Sequence, residues 1–109
     1  MQSLIAERNA VIAELESEAE IMRTSGCQLA HNERDYRKAI RKETLRERME
    51  GTPVTVTSDL VRGIDYVANL RDAMRCSEAM YKSSQEKINV LKLRLRVIEA
   101  DIDRAWHSG

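Results

Sequence analysis

The chain has 109 residues, enough for one domain, and its 18 basic and 18 acidic residues cancel, so net charge directs it toward neither nucleic acid nor an acidic membrane. With 33% charged and only 4% aromatic residues, little material is left for a thick core, and a narrow core of this kind usually needs a second copy to complete it. No apolar run approaches the roughly 18 residues of a membrane span, and the acidic, amphipathic opening MQSLIAERNAVIAELESEAE is unlike a signal peptide, so a cytosolic chain without a membrane partner is expected.

From Ile5 onward, Ile12, Leu15, Ala19, Met22, Gly26, Leu29, Tyr36 and Ile40 recur at alternating gaps of three and four, with Glu33 in register between them. This spacing predicts a first long helix over about Gln2 to Met49 with a coiled-coil-like seam. Gly26 weakens a helix by up to about 1 kcal/mol relative to Ala. The seam keeps its phase across that residue, so a continuous helix is expected over a break at Thr24 to Gly26.

The later part of this helix, ERDYRKAIRKETLRER, carries Arg34, Arg37, Lys38, Arg41, Lys42, Arg46 and Arg48 against Glu33, Asp35, Glu43 and Glu47. Arg34, Arg37, Lys38 and Arg41 fall on adjoining turns and form a stripe able to hold phosphates. The competing reading is a solvated face whose acids dilute the field through pairs such as Asp35 with Lys38.

Gly51-Thr52-Pro53 ends the first helix. In the connection from residue 50 to 64, Val54-Thr55-Val56 is expected to be extended, and Thr57 or Ser58 to cap one short helical turn over 58–62 that Gly63 terminates.

The second long run repeats the seam at Val67, Leu70, Met74, Ser77, Tyr81, Ser84, Ile88, Leu91, Leu95, Ile98, Ile102 and Ala105. It predicts a helix over about Asp65 to Trp106. A connection this short returns the second helix antiparallel to the first, so the fold class is an all-α helical hairpin with a short helical turn at its apex. With Met49 opposite Tyr66, Cys27 faces about Ile88. Cys76 then lies roughly 18 Å further along the axis, out of disulfide reach, and both thiols are expected to be free. His31 and His107 are far apart and no CxxC occurs, so no metal site or cofactor is expected. Leu4 and Val11 on one helix, with Val90 and Val97 on the other, make the apolar stripe wider than two helices need. Self-association of the hairpin into a dimer or larger bundle follows, with Trp106 at the interface or capping its end.

Tyr36, Glu33, Ser77, Tyr81 and Ser84 turn the seam polar beside Arg71, Arg75 and the stripe. A polar layer that sets register and a ligand pocket are both compatible with this pattern. As a pocket it suits a nucleotide-like anion, with Arg34, Arg37, Arg41, Arg71 and Arg75 on the charge and Tyr36 and Tyr81 stacking or donating. Thr55, Thr57 and Arg62 of the apex would form its lid. No nucleophile, base and orienting group stand at a catalytic spacing and no Gly-rich phosphate loop occurs, so a binding protein is expected rather than an enzyme.

The segment around Asp35-Tyr36-Arg37, Val67 to Leu70, Met80-Tyr81, INVLKLRLR and the closing RAW resembles small helical proteins encoded by temperate phages of Gram-positive bacteria. The resemblance implies an accessory protein acting in the host cytoplasm, either on host defence or as a helper in replication and recombination. In the first role it sequesters a nucleotide signal or a host defence protein; in the second it binds protein or single-stranded nucleic acid, of which nucleic acid is the less favoured partner.

Overall fold

The computed structural model describes residues 1–108 as three helices: α1 over Gln2–Met49, α2 over Val54–Arg62 and α3 over Asp65–His107. Arg46 and Arg48 in the last turn of α1, Asp65 in the first turn of α3 and Arg104 in its last turn each complement the helix dipole. Thr24, Ser25 and Gly26 are helical, so α1 is unbroken there.

The exit from α1 is a Schellman turn. Gly51 has φ of 83°, its amide donates to the Arg48 carbonyl at 3.2 Å, and the Thr52 amide donates to the Glu47 carbonyl at 3.0 Å. The Thr52 hydroxyl adds a bond to the Glu47 carboxylate at 2.7 Å.

The expected extended run Val54-Thr55-Val56 is instead the first turn of α2, with Pro53 in the cap position and no side-chain cap from Thr57 or Ser58. The β-branched residues disfavour a helix by only a few tenths of a kcal/mol each, roughly, and burial of one face outweighs that. Thr57 and Val61 form that face, and the Thr57 hydroxyl satisfies itself on the Pro53 carbonyl at 2.8 Å.

Contacts divide the chain into two units, Ser25–Met80 and a second made of Met1–Thr24 with the chain from Tyr81 onward. In the unit Ser25–Met80 each helix gives one buried hydrophobic residue, Ala39, Val61 and Val67, against which Tyr36, Ile40, Ile64 and Leu70 pack. Glu43 is buried; it accepts from the Tyr66 hydroxyl at 2.5 Å and pairs with Arg46 at 3.2 Å. The Asn32 amide donates to the Ser77 hydroxyl at 2.7 Å. Tyr66 therefore meets Glu43 where the sequence expectation placed Met49, a slip of about six residues or 9 Å along the helix. Its physical reason is α2, which packs back along the last turns of α1 and leaves α3 to start lower down. Cys27 and Cys76 are exposed and free; the slipped register shortens their axial separation to about 9 Å, still beyond disulfide reach, and an angular reason adds to it. Cys27 lies about 140° round α1 from Asn32, and Cys76 about 100° round α3 from Ser77, so neither points across the seam.

In the other unit Val11, Leu91 and Ile98 are buried, with Leu15, Leu95 and Ile102 against them. Val11, expected on a flank, is thus in the core, and Ile12 and Ala19 are outside it. The seam takes Glu18 in place of Ala19 because the Ser84 hydroxyl donates to its carboxylate at 2.8 Å and Lys87 lies 3.3 Å from it. The α3 seam follows the sequence expectation up to Ile102, while Ala105 is exposed.

Candidate functional site

A cleft of about 420 Å³ opens between α1 and α2, a size typical of small-ligand sites. Ile40, Val54 and Val61 give it apolar walls, Tyr36 gives an aromatic one, and Thr44 and Ser58 add hydroxyls. Arg37, Arg48 and Arg62 also line it. Arg37 is held by Glu33 at 2.7 Å, whereas Arg48 and Arg62 have no carboxylate partner among the described residues. Three guanidinium forks around an apolar floor suit a phosphate or carboxylate attached to a flat or hydrophobic body. Pro53 offers no side-chain cap, so the start of α2, whose Val54 lines the cleft, adds the positive end of its dipole.

A second groove of about 440 Å³ lies along α1 itself, lined by Glu33, Arg34, Arg37, Lys38 and Arg41 with Ala30. Arg37 borders both cavities. Arg34, Arg37, Arg41, Thr44 and Arg48 are spaced three and four apart and so share one face of the helix.

The acids of this segment dilute that charge in part. Asp35 pairs with His31 at 3.4 Å rather than with Lys38, Glu43 turns inward to Tyr66, and Glu47 is held by Thr52. Arg34, Lys38, Arg41 and Lys42 have no ion pair among the described residues. Two pairs of a self-neutralising face do form, Glu33 with Arg37 and Glu43 with Arg46, while Asp35 and Glu47 are taken up by His31 and Thr52.

Of the residues singled out from sequence, Tyr36, Arg37, Thr57 and Arg62 meet at the cleft, and Arg34 and Arg41 lie in the adjoining groove. Arg71 is half-buried and Arg75 exposed on α3, and neither lines the cleft or the groove. Tyr81 belongs to the other unit, and Thr55 points to solvent outside the cleft. The polar seam residues serve as hydrogen-bonded layers, Ser77 with Asn32 and Ser84 with Glu18. Arg48, Ser58, Thr44 and Val54 were missed. Thr44 and Arg48 continue the three-four spacing of the stripe and were open to detection; Val54 and Ser58 join only because the connection is helical.

Among the described residues no group of three or more His, Cys, Asp or Glu side chains could hold a metal ion. No helix of the described residues is long and apolar enough to cross a membrane. Comparison with protein-family models, curated proteins and solved structures finds no match.

Proposed function

We propose that the chain binds a small anionic, nucleotide-like ligand in the α1–α2 cleft and acts by holding it, as a homo-oligomeric, non-enzymatic phage accessory protein that counters a host defence in the host cytoplasm. The convergence of Arg37, Arg48 and Arg62 on one cavity with an aromatic wall carries this reading. A phosphate answers the arginines, and a base or sugar answers Tyr36, Ile40 and Val61. Sequestration needs no reacting group, only a complementary pocket. The phage origin and the defence role rest on the resemblance of the sequence, and a host defence protein is the alternative target within the same role.

Calorimetric titration with GMP and with inorganic phosphate tests the site. Micromolar binding of GMP is expected, with phosphate alone weaker by about a hundredfold because it leaves the apolar walls unfilled. Arg48→Ala and Arg62→Ala each lower GMP affinity about tenfold or more, the loss expected for one charge-assisted contact. Both substitutions are at exposed positions and leave helicity intact. Absence of binding by any nucleotide sinks the reading.

The run of Arg34, Lys38 and Arg41 beyond the cleft, joined to it through Arg37, favours one alternative, a replication or recombination helper that binds single strands or a protein. Strand binding predicts affinity that rises with oligonucleotide length and falls steeply with salt. Arg41→Ala separates the two, being nearly silent for a cleft ligand and costly for a strand.

A further inference from the structure

Helix α3 carries a second stripe besides the one that packs on α1. Glu86, Val90, Leu93, Val97, Ala100 and Arg104 recur at gaps of four, three, four, three and four, which places them on one face, and all are exposed. Val90, Leu93 and Val97 are 55%, 57% and 60% exposed, unlike the buried Leu91 and Ile98 beside them. A groove of about 300 Å³ runs along this stripe, with Glu7 of α1 on one wall and Arg94 of α3 on the other, neither ion-paired among the described residues.

The spacing reads the same from either end, its inner four residues are apolar, and its two ends carry opposite charges. An antiparallel copy of α3 laid on the stripe sets Leu93 against the partner's Val97, Val90 against the partner's Ala100, and Glu86 against the partner's Arg104. Each pairing occurs twice by the two-fold axis, as an isologous interface requires. A parallel copy would instead oppose Glu86 to itself and Arg104 to itself, which like charges disfavour. We propose that this stripe is the seam through which two copies of the chain associate, α3 antiparallel to α3. The proposal rests on the reading of the chain as a homo-oligomer and names the surface and the register.

Sedimentation equilibrium of the full chain tests it, with circular dichroism as the control for folding. The unaltered chain is expected to have the mass of a dimer. Leu93→Glu and, independently, Val97→Glu give monomers of unchanged helicity, since both positions are more than half exposed within the chain. Glu86→Arg raises the dimer dissociation constant about tenfold, and Glu86→Arg combined with Arg104→Glu restores it to within about threefold. A monomeric unaltered chain overturns self-association altogether. An oligomer that ignores both glutamates and the charge exchange overturns this seam alone. Loss of helicity in both glutamate variants overturns it too, because the face would then be packing within its own chain.

Discussion

Three polar side chains sit where a helical seam would ordinarily be apolar, and each is tied to a named partner. Glu18 accepts from Ser84, Asn32 donates to Ser77, and Glu43 accepts from Tyr66. Arg8 is the exception, half-buried with an Nε that is enclosed and without a hydrogen-bond partner. The Tyr66 phenol donates to the Glu43 carboxylate, and this bond, together with burial and the carboxylate's charge, raises its pKa above the ordinary tyrosine value. A raised folded-state value means that the bond stabilises fully below about pH 10 and that this contribution disappears as pH rises through the raised value. Ultraviolet titration of tyrosinate is expected to show one of the three tyrosines ionising later than the others, and Tyr66→Phe to remove that late step. The same substitution leaves Glu43 with Arg46 alone and lowers stability by about 1 kcal/mol in chemical denaturation at neutral pH. An unchanged late step in Tyr66→Phe would assign it elsewhere.

The turn elements show that two glycines of similar sequence setting do different work. Gly51 has a left-handed backbone that the Schellman turn requires, while Gly63 has φ of −81° and ψ of −7°, an ordinary helical conformation. A Cβ at Gly63 would meet only the Asp59 and Leu60 carbonyl oxygens at 3.5 and 3.6 Å, which is normal contact. Gly51→Ala is therefore expected to cost roughly 1 kcal/mol in thermal unfolding, although nothing lies within 4 Å of the added methyl group. Gly63→Ala is expected to be neutral or to stabilise by a few tenths of a kcal/mol, roughly, by restricting the unfolded chain. Equal losses from both would contradict the assignment. Helix α2 itself depends on packing, because a nine-residue helix with β-branched residues has little stability alone.

At the scale of the whole molecule a zero net charge conceals an uneven distribution, with seven bases against four acids on the later half of α1 and two bases against five acids on its first half. The core is thin. Among the described residues only six hydrophobic ones are buried, divided between two clusters, while Val90, Leu93 and Val97 remain exposed. Burial of one such side chain is worth roughly 1.5–3 kcal/mol, so a second copy covering this face would add appreciably to stability. The melting temperature is accordingly expected to rise with protein concentration, by mass action, over a hundredfold dilution series followed by circular dichroism. Leu93→Glu should abolish that dependence.

The two long helices and their ends were legible in the sequence because their seam repeats over many turns and Gly51-Thr52-Pro53 marks a stop that local sterics enforce. The α3 seam was legible residue by residue as far as Ile102. On α1 periodicity left neighbouring residues competing for the same positions. Tertiary structure chose Val11, Glu18 and Asn32 over Ile12, Ala19 and Glu33, because α3 supplies Ser84, Lys87 and Ser77 to satisfy the polar ones. The helical state of Val54-Thr55-Val56 was hidden for a related reason, since local propensity favours a strand and only burial of Thr57 and Val61 reverses it. With that helix comes the cleft. The arginine stripe could be read from spacing, but its meeting with Arg62, Ser58 and Val54 depends on how α2 packs back on α1. Local patterns determined which segments are helical, and long-range packing decided which faces meet and where a ligand could sit.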